Sequence, residues 1–153
     1  MSILGFVLVV FGSFGRIWAS LYIEGNKTKN LITAGPFSMV RNPLYFFSLI
    51  MLLGFSLALK AIYLPLALLL IFVLFHVPTI ANEERKLGKN HGDKFESYMK
   101  STPRLIPNIF KYKRPETGEK VLVKISRING VLIEVIGYLF LYTLIDIIYF
   151  ILD

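Results

Sequence analysis

The chain has no cysteine, which excludes disulfides, thiolate nucleophiles and cysteine-ligated metals together. Its two histidines, His76 and His91, have no further histidine or cysteine at ligand spacing, so no metal site is expected. Neither a G-x-G-x-x-G run nor a P-loop occurs, and no Ser/His/Asp arrangement suggests itself, so a soluble nucleotide-binding fold and a phosphate-cradling loop are not indicated. Charge is scarce as well. Only 18% of the 153 residues are charged, most of them in one block, and acids number ten against seventeen Lys and Arg. A soluble domain of this length needs more polar surface than that.

What fills the chain is apolar: 55% hydrophobic residues, thirteen Phe and eight Tyr. The runs predict an all-α, polytopic transmembrane bundle of about four spans with a cytoplasmic amphipathic helix. The first three spans fall at about 2–23, 44–59 and 61–81, the second and third forming a hairpin around Lys60 and Pro65. Nothing at the N-terminus reads as a cleaved signal. Residues 82–101 carry Leu87, His91, Phe95, Tyr98 and Met99 at three- and four-residue spacing, an amphipathic helix lying on the membrane or the spans. A basic linker, 111–127, precedes a further C-terminal span over 128–153. On this division residues 1–110 are the functional core.

Charge orients the bundle. Lys27, Lys29 and Arg41 lie in the first loop and twelve basic residues between Asn82 and Arg127, against Lys60 alone in the opposite loop. By the positive-inside rule the N-terminus is outside and both basic segments are cytoplasmic, in a plasma (inner) membrane. The distribution of the formal charge of +7 thus follows the positive-inside rule, and the expected partners are membrane lipids and no nucleic acid.

Chemistry concentrates at the corner from Thr33 to Tyr45. Gly35-Pro36 breaks the preceding structure, and Pro43 opens the next helix where its missing N–H does no harm. Arg41 and Asn42 stand between them at the edge of the apolar slab. Glu83 and Glu84 emerge where the third run ends, with two readings open: a solvated helix start pairing with Lys86 or Lys89, or a carboxylate turned inward to bind a cationic amine. Arg16, Glu134 and Asp146 are costly in lipid unless neutral, paired or facing protein or water.

In order, these pieces are Arg16-Ile-Trp-Ala, Leu31-Ile-Thr-Ala-Gly-Pro-Phe37, Val40-Arg-Asn-Pro-Leu-Tyr45, an apolar hairpin, Glu83-Glu84-x-x-Leu87, Gly92-x-x-Phe-x-x-Tyr98 and Pro103/Pro107. The set resembles integral-membrane methyltransferases related to isoprenylcysteine carboxyl methyltransferase and the phospholipid methyltransferases, over roughly residues 10–110. The resemblance implies S-adenosylmethionine as cofactor, held by Lys29, Asn30, Leu31, Ile32, Phe37, Asn42, Pro43, Leu44, Tyr45 and Glu83, with Arg41 and Glu83 as the candidate catalytic pair. Glu83 would meet the ammonium, Asn42 the carboxylate, and Phe37 and Tyr45 the sulfonium. The partner is a lipophilic or small-molecule methyl acceptor; oligomeric state is left open.

Two departures bear on that acceptor. Many eukaryotic relatives have His where this chain has Asn42, and relatives acting on prenylcysteine carry Arg where it has Thr79. Two other classes compete: a carrier or channel using Glu134 and Asp146, and an NADPH-dependent protein like the sterol reductases. The methyltransferase reading requires the corner and the acid pair to converge on one water-poor cleft.

Overall fold

The structure, a computed structural model, describes residues 3–24, 30–59, 63–115 and 125–152. It is helical, with one isolated antiparallel bridge, Gly35 to Lys113, and no other strand pairing among the described residues. Six helices follow in order: α1 Ile3–Glu24, α2 Pro36–Met39, α3 Pro43–Ala58, α4 Leu64–His91, α5 Asp93–Ser101 and α6 Ile125–Leu152. A 3₁₀ turn, Ile109–Lys111, interrupts the strap (residues 102–113) that follows α5.

Helices α1, α4 and α6 are long and apolar enough to cross a bilayer, and α3 is a shorter apolar helix beside them. The protein is an integral membrane helical bundle.

Lipid cannot drive apolar helices together, so close backbone contact must. Glycines supply it between α1 and α3. A Cβ on Gly5 would lie 2.8 Å from the Gly54 carbonyl oxygen, one on Gly54 2.7 Å from the Gly5 carbonyl, and one on Gly12 2.8 Å from the Phe47 carbonyl. The later a residue stands in α1, the earlier its partner in α3, so the pair is antiparallel. Helix α6 closes one side of this pair: Tyr142 is fully buried with Val9, Phe55 and Ala58, and Tyr138 packs against the same cluster. Higher up, the Arg16 guanidinium donates to Glu134 Oε2 at 2.9 Å and to Ser48 Oγ at 3.0 Å. Arg16 and Glu134 are thus paired across α1 and α6, the arrangement that makes such charges tolerable in lipid.

Two boundaries differ from the sequence expectation. The third span does not end at 81 with a new helix beginning at 82: α4 runs unbroken to His91, and only Asp93–Ser101 forms a separate helix. Glu83 through Leu87 are good helix formers and contain no breaker, so the membrane helix simply continues out of the slab. Twenty-eight residues make α4 about 42 Å long, roughly 12 Å more than a hydrocarbon core. The break comes at Gly92, whose φ of 53° suits glycine and few others. The last helix likewise begins at Ile125 rather than 128. Of the expected reversal around Lys60 and Pro65, residues 60–62 lie outside the described residues, as does most of the basic linker.

Gly92 turns the chain back. Helix α5 packs Phe95 near Gly88 of α4, and the chain returns to the mouth of α3, where the Arg41 N–H donates to the Pro103 carbonyl at 2.9 Å. That return builds the site.

Candidate functional site

The corner is rigid before any side chain from elsewhere reaches it. Gly35, at φ 59°, has the Tyr22 ring where a Cβ would sit, and Pro36 starts the one-turn α2. Asn42 then occupies the N-cap position of α3, with Pro43 as the first helical residue.

Asn42 does not cap the helix with its side chain. Its Nδ2 donates instead to Glu84 Oε1 at 3.1 Å and to the Arg104 carbonyl at 3.0 Å. Both partners are acceptors, so this amide orientation is set by the network. With both hydrogens engaged, Asn42 cannot hold a ligand carboxylate through its N–H groups as the resemblance implied; Oδ1 is the atom left over.

Glu84 is the centre of a polar hub. Its Oε1 lies 3.6 Å from Arg41 Nη1, and its Oε2 lies 3.1 Å from Arg104 Nε, which is close enough for charge pairing though poorly aimed for a hydrogen bond. The side chains of Arg41 and Glu84 are only 13% and 14% exposed, whereas Arg104 is 41% exposed. Arg41 Nε is buried with no hydrogen-bond partner. Neither acid stands at a helix start, because α4 begins nineteen residues before Glu83 at Leu64. Glu84 is turned inward, but onto guanidinium groups.

Glu83 is different. It is exposed and accepts one hydrogen bond, 3.1 Å, from the Tyr45 hydroxyl. Two turns below it on α4, His76 stacks on Phe72 with ring centroids 4.2 Å apart and planes 9° apart, and Tyr45 meets His76 edge-on at 5.5 Å. His76 Nδ1 lies 3.1 Å from the Phe72 carbonyl, which can only accept, so Nδ1 is the donor of this pair. One face of α4 therefore presents a carboxylate above an aromatic wall.

Phe37 is buried, and its carbonyl accepts a 2.7 Å hydrogen bond from the Tyr98 hydroxyl. Burial above all, and then the charge of Glu84, push the Tyr98 phenol well above its ordinary 10 while Arg41 pulls the other way. The protonated donor is what the native state holds, so this contribution to stability is complete below pH 10 and is lost as pH rises past it. The thermal midpoint in detergent should therefore drop more steeply above pH 10 in the wild type than in Tyr98→Phe, which loses about 1 kcal/mol at neutral pH. Parallel profiles for the two proteins would contradict this assignment.

Of the remaining sequence candidates, Pro43 is buried, Leu44, Leu31 and Ile32 are half-buried, and Asn30 is exposed. None of the hydrogen bonds or ion pairs above includes Leu31 or Ile32, and Lys29 lies outside the described residues. The corner and the acid pair do converge, but hydrogen bonds of the hub fill the space between them. Cavities open to its sides: one of about 730 Å³ between α5 and the strap reaches Arg41, and one of about 450 Å³ between α4 and α5 reaches Glu84. Tyr45 and Glu83 line neither.

Sequence reading missed Glu84 as the pivot, Arg104 as its partner and His76 as part of the wall. His76 had a signal, its seven-residue spacing from Glu83. Arg104 had none, because its position depends on the reversal at Gly92.

The chain belongs to the phospholipid methyltransferase family, whose model matches residues 1–94. Among curated proteins, the chain is similar to the nickel-cobalt-cadmium resistance protein NccN of Alcaligenes xylosoxydans xylosoxydans, 33% identical over 113 residues, covering 74% of this chain and 53% of that protein. It is likewise similar to the cobalt-zinc-cadmium resistance protein CzcN of Cupriavidus metallidurans, 33% identical over 114 residues, covering 74% and 52%. The chain thus spans about half the length of these relatives. No solved structure matches it significantly.

Proposed function

We propose that the protein transfers the methyl group of S-adenosylmethionine to a small or lipophilic acceptor at the cytoplasmic face of the membrane. The observation that carries this reading is the pairing of Tyr45 with Glu83 above the His76–Phe72 wall, beside a corner locked to the same helix. The donor set suits a ligand with an ammonium, a carboxylate and a sulfonium. Glu83 offers an exposed carboxylate, Arg41 and Arg104 a pair of guanidinium groups of which Arg41 Nε is unpartnered, and Tyr45 and His76 aromatic faces.

When bound, the cofactor supplies an electrophilic methyl on sulfur. The chain's own part is positioning and dryness. Glu83 would hold the ammonium and the guanidinium groups the carboxylate of the amino acid moiety, which would remove rotational freedom before reaction. Pro43 and Val40, both buried, keep water from behind the corner. Arg41, held by Glu84 and by its own N–H to Pro103, organises the turn. Its position at the mouth of the spans lets a soluble cofactor arrive from the basic, cytoplasmic side and an apolar acceptor from the bilayer.

Thr79, where prenylcysteine-methylating relatives have Arg, is exposed and donates to the Phe75 carbonyl of its own helix. This favours an acceptor without the prenylcysteine carboxylate. The pairing of Glu134 with Arg16 makes that acid a helix contact and removes support for an ion path through it.

Glu83→Gln is expected to weaken S-adenosylmethionine binding at least tenfold, about 1.4 kcal/mol, by isothermal titration in detergent, with the thermal midpoint unchanged because Glu83 is exposed. Equal affinity in the two proteins would refute the assignment.

A further inference from the structure

The strap after α5 holds a combination that neither the fold nor the proposed chemistry uses. Ile106 is 80% exposed, Ile109 67% and Phe110 94%. These are the side chains of a segment that is otherwise tied down. The Asn108 N–H donates to the Met39 carbonyl at 2.9 Å, the Gly35 N–H to the Lys113 carbonyl at 2.8 Å, and the Lys113 N–H to Ser38 Oγ at 2.8 Å. A pinned backbone with a fully exposed phenylalanine is a built protrusion.

Its depth is readable. Pro103 is bonded to Arg41, two residues before α3 begins. At the other end of the strap, the Tyr112 ring lies 6.2 Å from Trp18. Trp18 stands six residues inside the end of α1, about 9 Å down the helix. The strap therefore runs level with the mouths of two apolar helices, although α4 has first carried the chain well beyond them. Around the apolar tip, Lys100, Lys113 and Arg114 are exposed. Apolar tip, basic flanks and aromatic pair are what the headgroup boundary of an anionic bilayer selects.

We propose that the strap is an interfacial anchor: Ile106, Ile109 and Phe110 seat in the headgroup–acyl boundary of the surrounding membrane, while Lys100, Lys113 and Arg114 bind the phosphates of anionic lipids. It holds the carbonyls of Pro103 and Arg104 against the corner, so the lipid surface becomes a support of the site. The anchor does not depend on which methyl acceptor is used, or on whether methyl transfer occurs.

The absence of cysteine makes the test direct. Phe110→Cys, labelled with an environment-sensitive fluorophore and reconstituted in phosphatidylcholine–phosphatidylglycerol vesicles containing brominated lipid, should show blue-shifted emission and strong quenching. Asn90→Cys, near the end of the α4 overhang, should show neither. Omitting phosphatidylglycerol, or combining Phe110→Cys with Lys100→Glu, Lys113→Glu and Arg114→Glu, should reduce quenching at least twofold. Emission from Trp18, the chain's one tryptophan, checks that the strap is still docked in each variant. A label at 110 as unquenched as that at 90 would overturn the anchor, as would protection by a second copy that persists in detergent. Quenching indifferent to phosphatidylglycerol and to the three charge reversals would overturn the anionic preference on which the proposal rests.

Discussion

Replacing Glu84 by alanine is expected to release the strap and destabilise the protein by about 3–5 kcal/mol, a large share of a typical domain's stability. Glu84 faces three donors, Asn42, Arg41 and Arg104, and the Arg41 pair is the less exposed of the two ion pairs. Removing the carboxylate leaves the Arg41 guanidinium buried without its counter-charge, which costs more than the pair gains by existing. The Asn42 amide loses one of its two acceptors at the same time. Because Trp18 lies against Tyr112 of the strap, the variant should show altered tryptophan emission together with a lowered thermal midpoint. Glu83→Gln should show neither change. If Glu84→Ala melts like the wild type with Trp18 unmoved, the hub does not hold the corner.

The second large effect belongs to the membrane half. Gly54→Leu is expected to separate α1 from α3 and to cost more than the 1–3 kcal/mol usual for overpacking. The obstacle is main chain: even a Cβ there meets the Gly5 carbonyl at 2.7 Å and the Val9 nitrogen at 3.0 Å, and neither can rotate away. Gly12→Leu meets the Phe47 carbonyl in the same way. Gly137, with nothing within 4 Å, is the contrast; Gly137→Ala should be neutral or stabilising by up to about 1 kcal/mol. Thermal midpoints in one detergent decide the matter. Equal midpoints for Gly54→Leu and Gly137→Ala would show that α1 and α3 do not pack through their backbones.

These outcomes also mark how far the amino-acid order could be read. The spans were legible because twenty-residue apolar runs have few alternatives, and Pro43 announced the start of α3 because the first turn is where proline costs a helix no hydrogen bond. The closeness of the corner to the acid pair was legible through the order of motifs. What periodicity could not tell is which acid does what. Glu83 and Glu84 are adjacent and chemically alike, yet helix rotation of about 100° turns one to Tyr45 and solvent and the other to Arg41. The end of α4 was misplaced because polarity changes at Asn82 while helix propensity does not, and backbone geometry follows the latter until Gly92. Arg16 and Glu134, 118 positions apart, could be read as needing partners but not as being partners.

Beside the side-chain contacts of Asn42, Glu84 and Ser38, the strap is fastened to the corner through main-chain groups: Arg41 N–H to Pro103, Asn108 N–H to Met39, Gly35 N–H to Lys113. Such fastenings are blind to side-chain identity. Evolution can therefore rewrite Leu105, Ile106, Ile109 and Phe110 without unmooring the segment, adapting one scaffold to bilayers of different composition or to acceptors of different bulk. A combinatorial library confined to those four positions would search that diversity while the fold stays constant.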